Sequence, residues 1–127
     1  LASGHLFGAN ASYSNVAALS PCGAVRWYRN LIRPGQWNPK NLQASLELED
    51  RIGDFFQEHI VPFASRGYSD MALDKLVAEI GGWSSVGTKL RWPYTSITMT
   101  EAHALRKVAR RKLPELFECA DEVMYQV

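Results

Sequence analysis

Residues 69–93 read SDMALDKLVAEIGGWSSVGTKLRWP, and this stretch decides the fold. Ser69 is a helix N-cap with Asp70 behind it. Leu73, Leu76, Val77 and Ile80 recur at the spacing of one helical face, and Asp74, Lys75 and Glu79 occupy the other. Gly81 and Gly82 end a helix at little cost, because glycine accepts positive φ. Trp83 follows directly, and the reading places it in the core against Leu76, Ile80 and Phe56. Ser84 then starts a second, shorter helix with Val86 and Leu90 on one side, and Pro93 closes it. The whole is a helical corner at residues 69–92. A DNA-binding helix-turn-helix has the same outline, with Ser85, Thr88, Lys89 and Arg91 as the side chains that could reach bases.

The segments on either side are built to pack around this corner. Ser20-Pro21 is a helix start, with Ala24, Val25, Tyr28, Leu31 and Ile32 as its apolar stripe and Arg26, Arg29 and Arg33 facing away. Pro34-Gly35 ends it. Asn38-Pro39 opens the next helix, whose apolar face runs through Leu42, Leu46, Ile52, Phe55, Phe56, Ile60 and Phe63. Glu47, Glu49, Asp50, Asp54 and Glu58 fall mostly on its solvated side, and Pro62 kinks or stops it. Thr98-Met99-Thr100-Glu101 matches a capping box. The stripe Ala102, Leu105, Ala109, Leu113, Leu116, Ala120, Val123 and Val127 continues to the C-terminus, with a break at Pro114.

Residues 1–25 contain no Asp, Glu, Lys or Arg. Residues 1–19 read as a charge-free, mostly non-helical arm with scattered apolar points, and residues 20–127 as the helical domain. The expected fold is therefore all-α, a single small domain of four or five helices. Burial of Leu6, Phe7, Tyr13 and Val16 does not repay the backbone entropy of ordering the arm. The arm is thus expected to stay mobile in the free protein and to order against a partner, with those four residues as the partner-binding set. Asn10-Ala11-Ser12 is formally a glycosylation sequon, a pattern short enough to arise by chance.

The bulk numbers exclude several function classes. The chain has 127 residues with a net charge of +1, so no global field draws it to nucleic acid or an anionic membrane. No apolar run approaches the roughly 18 residues of a membrane span, and nothing reads as a secretory signal peptide. Cys22 and Cys119 form no metal-ligand spacing and read as reduced, buried thiols, with one disulfide as the alternative. A nucleophilic Cys22 would need a base such as His59 or His103, and no local motif supports either. No catalytic residue, metal ligand or cofactor is expected, so an enzyme is not. The remaining cluster is basic: Arg106, Lys107, Arg110, Arg111 and Lys112 lie within two turns, followed by Glu115, Glu118, Asp121 and Glu122. Either the helix pairs internally with its acidic continuation, or Arg106, Lys107, Arg110 and Arg111 join Lys89 and Arg91 in binding phosphates.

Over residues 37–92 the order Trp37, Asn41, Leu48-Glu49, Phe55-Phe56, Pro62, Leu76, Ile80-Gly81-Gly82-Trp83, Val86 and Leu90 resembles a helical Gly-Gly-Trp unit found in plant and algal plastid-targeted proteins. Arg66-Gly67-Tyr68-Ser69 stands where that unit has a Pro-Thr start, and Arg91-Trp92 where it has Gly. The resemblance implies a helical interaction module without catalytic residues and a plastid location; otherwise the protein reads as soluble and intracellular. The missing initiator Met would fit removal of a transit peptide. The expected function is non-catalytic binding or scaffolding by a small accessory subunit docked on protein subunits of a larger complex, with a plastid photosynthetic complex as one host. The alternative is a nucleic-acid-binding protein that uses the corner and the basic helix.

Overall fold

The computed structural model describes residues 2–9, 11–12, 14–32 and 39–118. Expectations on Tyr13, the Asn10 sequon, Arg33 to Asn38, and Cys119 to Val127 lie outside the described residues.

The architecture is all-α, with no strand among the described residues. Among the described residues four long helices carry it: α3 (Pro21–Ile32), α4 (Pro39–His59), α6 (Asp70–Gly81) and α7 (Met99–Lys112). Four short ones link or flank them: α1 (Ala2–Leu6), α2 (Val16–Leu19), α5 (Val61–Ser65) and α8 (Pro114–Phe117). The start signals behave as local chemistry requires. The Ser69 side chain accepts from Ala72 N, and α6 ends on Gly82 in the left-handed region at φ 71°. Thr98 and Glu101 form the reciprocal capping box that opens α7. Pro114 ends α7 and starts α8, while Pro62 lies in α5, just past the end of α4.

The core is a single cluster in which Phe55, Leu19, Leu76, Ile80, Ile97, Leu113 and Leu116 are the largest fully buried side chains. α6 packs on α7 and α2, and α3 packs on α2, α4 and α8. Two of these crossings require glycine. A Cβ on Gly81 would overlap the Leu19 carbonyl oxygen of α2 and lie 2.9 Å from its carbon. A Cβ on Gly23 would overlap the Leu116 carbonyl oxygen and lie 2.7 Å from its Cα. Ser20 works beside the second crossing: its hydroxyl accepts from Gly23 N at 3.1 Å and donates to Leu116 O at 2.5 Å, joining α3 to α8.

Five expectations need correction. The second helix of the corner is absent: residues 83–97 form no helix, and Gly87 sits at φ 67°, outside the helical region. Trp83 is 42% exposed rather than a core plug. Its ring leans on the α2–α6 crossing, and its indole N–H donates to Ala18 O at 2.6 Å. On α3 the buried face passes through Gly23, Trp27 and Leu31, because Gly23 must meet α8; Val25 is exposed in consequence. The N-terminal segment is part of the fold. Val16 and Leu19 are buried, and Ala2 N donates to Glu49 Oε2 at 2.5 Å while the Ser3 hydroxyl donates to Glu49 Oε1. Finally, Cys22 is disulfide-bonded, the alternative to a reduced thiol.

Candidate interaction surface

The end of α6 and the segment after it form a fixed platform for exposed side chains. Its foundation is Glu79, which is 5% exposed. Arg106 of α7 reaches across to it: Nη2 donates to Glu79 Oε1 at 2.7 Å, and Nε donates to the Glu79 carbonyl at 3.1 Å. Glu79 Oε2 accepts from Gly87 N at 3.0 Å, so one carboxylate holds both α7 and the loop. The buried acid is thus paired and hydrogen-bonded, as a charge taken from water must be.

Further along, Lys75 Nζ donates to Lys89 O at 2.8 Å, and Leu90 N donates to Ser96 Oγ at 2.7 Å. Thr88 and Ile97 are buried, and Leu90 packs against the core. Between these anchors Tyr94 N donates to Arg91 O at 3.1 Å, which closes a tight turn over residues 91–94. Trp92 lies within this turn and is 92% exposed. Tyr94, Val86 and Trp83 are exposed on the same segment. Lys89 and Arg91 are exposed beside Trp92.

The residues picked out from the sequence are scattered by the fold. Leu6 and Phe7 are exposed at the end of α1, and Val16 is buried in α2, so the arm does not present them as one surface. Val16 cannot serve a partner without leaving the core. The basic cluster is also divided. Arg106 turns inward onto Glu79, and Lys112 pairs with Glu58 at 2.5 Å. The Arg110 guanidinium lies 5.4 Å from the centroid of the Phe117 ring. Lys107 and Arg111 remain exposed on α7. Lys89 and Arg91 are on a loop, so the base-reading helix of the alternative reading does not exist. Among the described residues the pairing of the basic cluster with its acidic continuation does not form either: Arg51 of α4 takes Glu115 and Arg26 of α3 takes Glu118.

Among the described residues no group of three or more His, Cys, Asp or Glu side chains is placed to hold a metal ion. His59 lies 3.6 Å from Glu58, and His103 lies 3.9 Å from Glu79. The disulfide at Cys22 leaves no thiolate there. No helix among the described residues is long and apolar enough to cross a membrane.

Sequence reasoning missed Trp92 and Tyr94 as surface residues. A signal was available: residues 81–100 contain no Asp or Glu, and Trp-Pro is a turn dipeptide rather than a helical one. Comparison of the chain with protein-family models, with curated proteins and with solved structures finds no match.

Proposed function

We propose that this chain is a non-catalytic protein-binding domain, an accessory piece docked on a larger assembly, and that residues 83–94 are its docking surface. One observation carries the reading: Trp92 stands 92% exposed on a turn whose flanks are anchored to the core. Burying a Trp side chain of about 200 Å² is worth on the order of 5 kcal/mol at about 25 cal/mol per Å². A fixed loop that leaves this unrealised is suited to a partner that realises it, and Trp is among the residues enriched at the energetic centres of protein interfaces. Long irregular loops on a helical scaffold are a usual place for such duty.

The compartment follows from Cys22 rather than from the Gly-Gly-Trp resemblance. Disulfides persist in oxidising surroundings and are rare where thiols are kept reduced. The reading therefore favours an oxidising compartment. Residues 86–90 form no helix, where the Gly-Gly-Trp unit has a short Val-to-Leu helix.

The test is site-specific photo-crosslinking in native extract. A benzoylphenylalanine in place of Trp92 should give a discrete protein adduct, and the same group in place of Gln57, exposed on α4, should not. Absence of any protein adduct from position 92 would overturn the reading.

A further inference from the structure

We infer that the partner presents an apolar pocket rimmed by carboxylates, which receives Trp92 and pairs with Lys89 and Arg91; this rests on the docking reading above and gives its chemistry. The argument has three parts.

The turn is preorganised. Its ends are held by the Leu90–Ser96 and Lys75–Lys89 hydrogen bonds, and Leu90 and Ile97 are committed inward. The backbone entropy of presenting Trp92 is therefore met in the free domain, which favours a partner that is itself a shaped pocket.

The charge around the turn is one-sided. Lys89 and Arg91 are the only charged residues between Gly81 and Thr100. Neither has a carboxylate within ion-pair distance among the described residues. Five other cations are paired across elements, Arg26 with Glu118, Arg51 with Glu115, Arg66 with Glu101, Arg106 with Glu79 and Lys112 with Glu58, while Lys107 and Arg111 stand exposed on α7 as Lys89 and Arg91 do on the turn. A surface that neutralises Lys89 and Arg91 must bring carboxylates from outside, and charges of this kind set orientation and encounter rate.

Trp92 is the one ring that stands almost wholly clear of the segment, while Trp83, Val86 and Tyr94 are each only about half-exposed. Trp83 on the same segment has its indole N–H committed to Ala18 O. An interfacial membrane anchor needs a broad apolar face with cations along it; one projecting Trp flanked by two cations fits a protein pocket instead.

The crosslinker at position 92 is also the probe for this chemistry. In wild-type surroundings the adduct yield should fall as salt rises from about 0.05 to 0.5 M, because exposed charge pairs are screened over that range. In the Lys89→Glu, Arg91→Glu background it should fall by about tenfold at low salt, as expected for rim charges that steer docking. Both cations are exposed, so circular dichroism and the melting temperature of that variant should match wild type. The crosslinked peptide of the partner should carry Asp or Glu beside apolar residues. A protein adduct that is insensitive to salt and to charge reversal, or a crosslinked peptide without carboxylates, would overturn the acidic pocket while leaving the docking reading intact. A phospholipid adduct in place of a protein one would identify a membrane surface and overturn both.

Discussion

Residues 14–20 and residues 88–94 both lack carboxylates, yet the first segment packs into the core and the second is largely exposed. Leu19 in the first is fully buried, and Trp92 in the second is 92% exposed. The difference lies in what receives each side chain. Leu19 has a groove made for it: Gly81 lets α2 approach α6 until backbone nearly meets backbone, and only an apolar side chain completes the fit. Trp92 has no such groove, because its neighbours Leu90 and Ile97 already take the inward positions and the turn points the ring away. A shortage of charge thus says that a segment is not a solvated face. It does not say whether the segment's own domain or another protein covers it.

The comparison can be broken at four points. Leu19→Ala should be the most damaging, at about 4 kcal/mol, since it leaves a cavity in the centre of the α2–α6 contact. A urea melt in which it matches wild type would return residues 16–19 to the status of a detachable arm. Arg106→Met should cost about 3 kcal/mol, near the lower end for breaking a buried pair, because the Arg106 side chain keeps 28% exposure while Glu79 is stranded. It should also loosen residues 87–97, detected as faster amide exchange there than in α4; equal protection would mean that the Glu79 bridge does not hold the loop.

Acid should have a smaller effect. The Thr98 hydroxyl hydrogen bond, against an opposing contribution from burial, and the Thr98 amide and Arg66 together hold the Glu101 carboxyl below its ordinary 4.5. A carboxyl with a lowered folded pKa stabilises fully above the unfolded value and loses that contribution as pH falls through the folded one. Melting temperature should therefore drop below about pH 4.5, and Glu101→Gln should reduce the drop. An unchanged acid slope in that variant would remove the capping box from the account. Smallest of all, Trp92→Ser should change stability by less than about 0.5 kcal/mol, as exposed positions do. A larger loss would mean that the ring packs on its own domain.

What was legible in the sequence is what local chemistry decides. Ser20-Pro21, Pro39, Ser69, Gly82, the Thr98–Glu101 box and the break at Pro114 all rest on backbone groups within a few residues, and the four long helices among the described residues follow from them. The docking surface was not legible, because its form depends on partners far along the chain. Residues 84–92 have a helical spacing of Val86 and Leu90, but Glu79 draws the Gly87 amide out of any helix and Ser96 takes the Leu90 amide. Arg106 reads as one of a basic cluster until Glu79, 27 residues earlier, claims it. Trp27 replaces Val25 in the core because Gly23 must fit against Leu116, a requirement written on another helix.

The most direct test of the inverted roles of these two segments is amide hydrogen exchange on the free protein. Leu19 N and Ser20 N, which donate to Asn15 O and Val16 O inside the core contact, should be protected to the same order as α6. The amides of Arg91 and Trp92 should exchange orders of magnitude faster. Exchange of Leu19 and Ser20 at the rate of an unstructured chain, or protection of the Trp92 amide equal to theirs, would contradict the account.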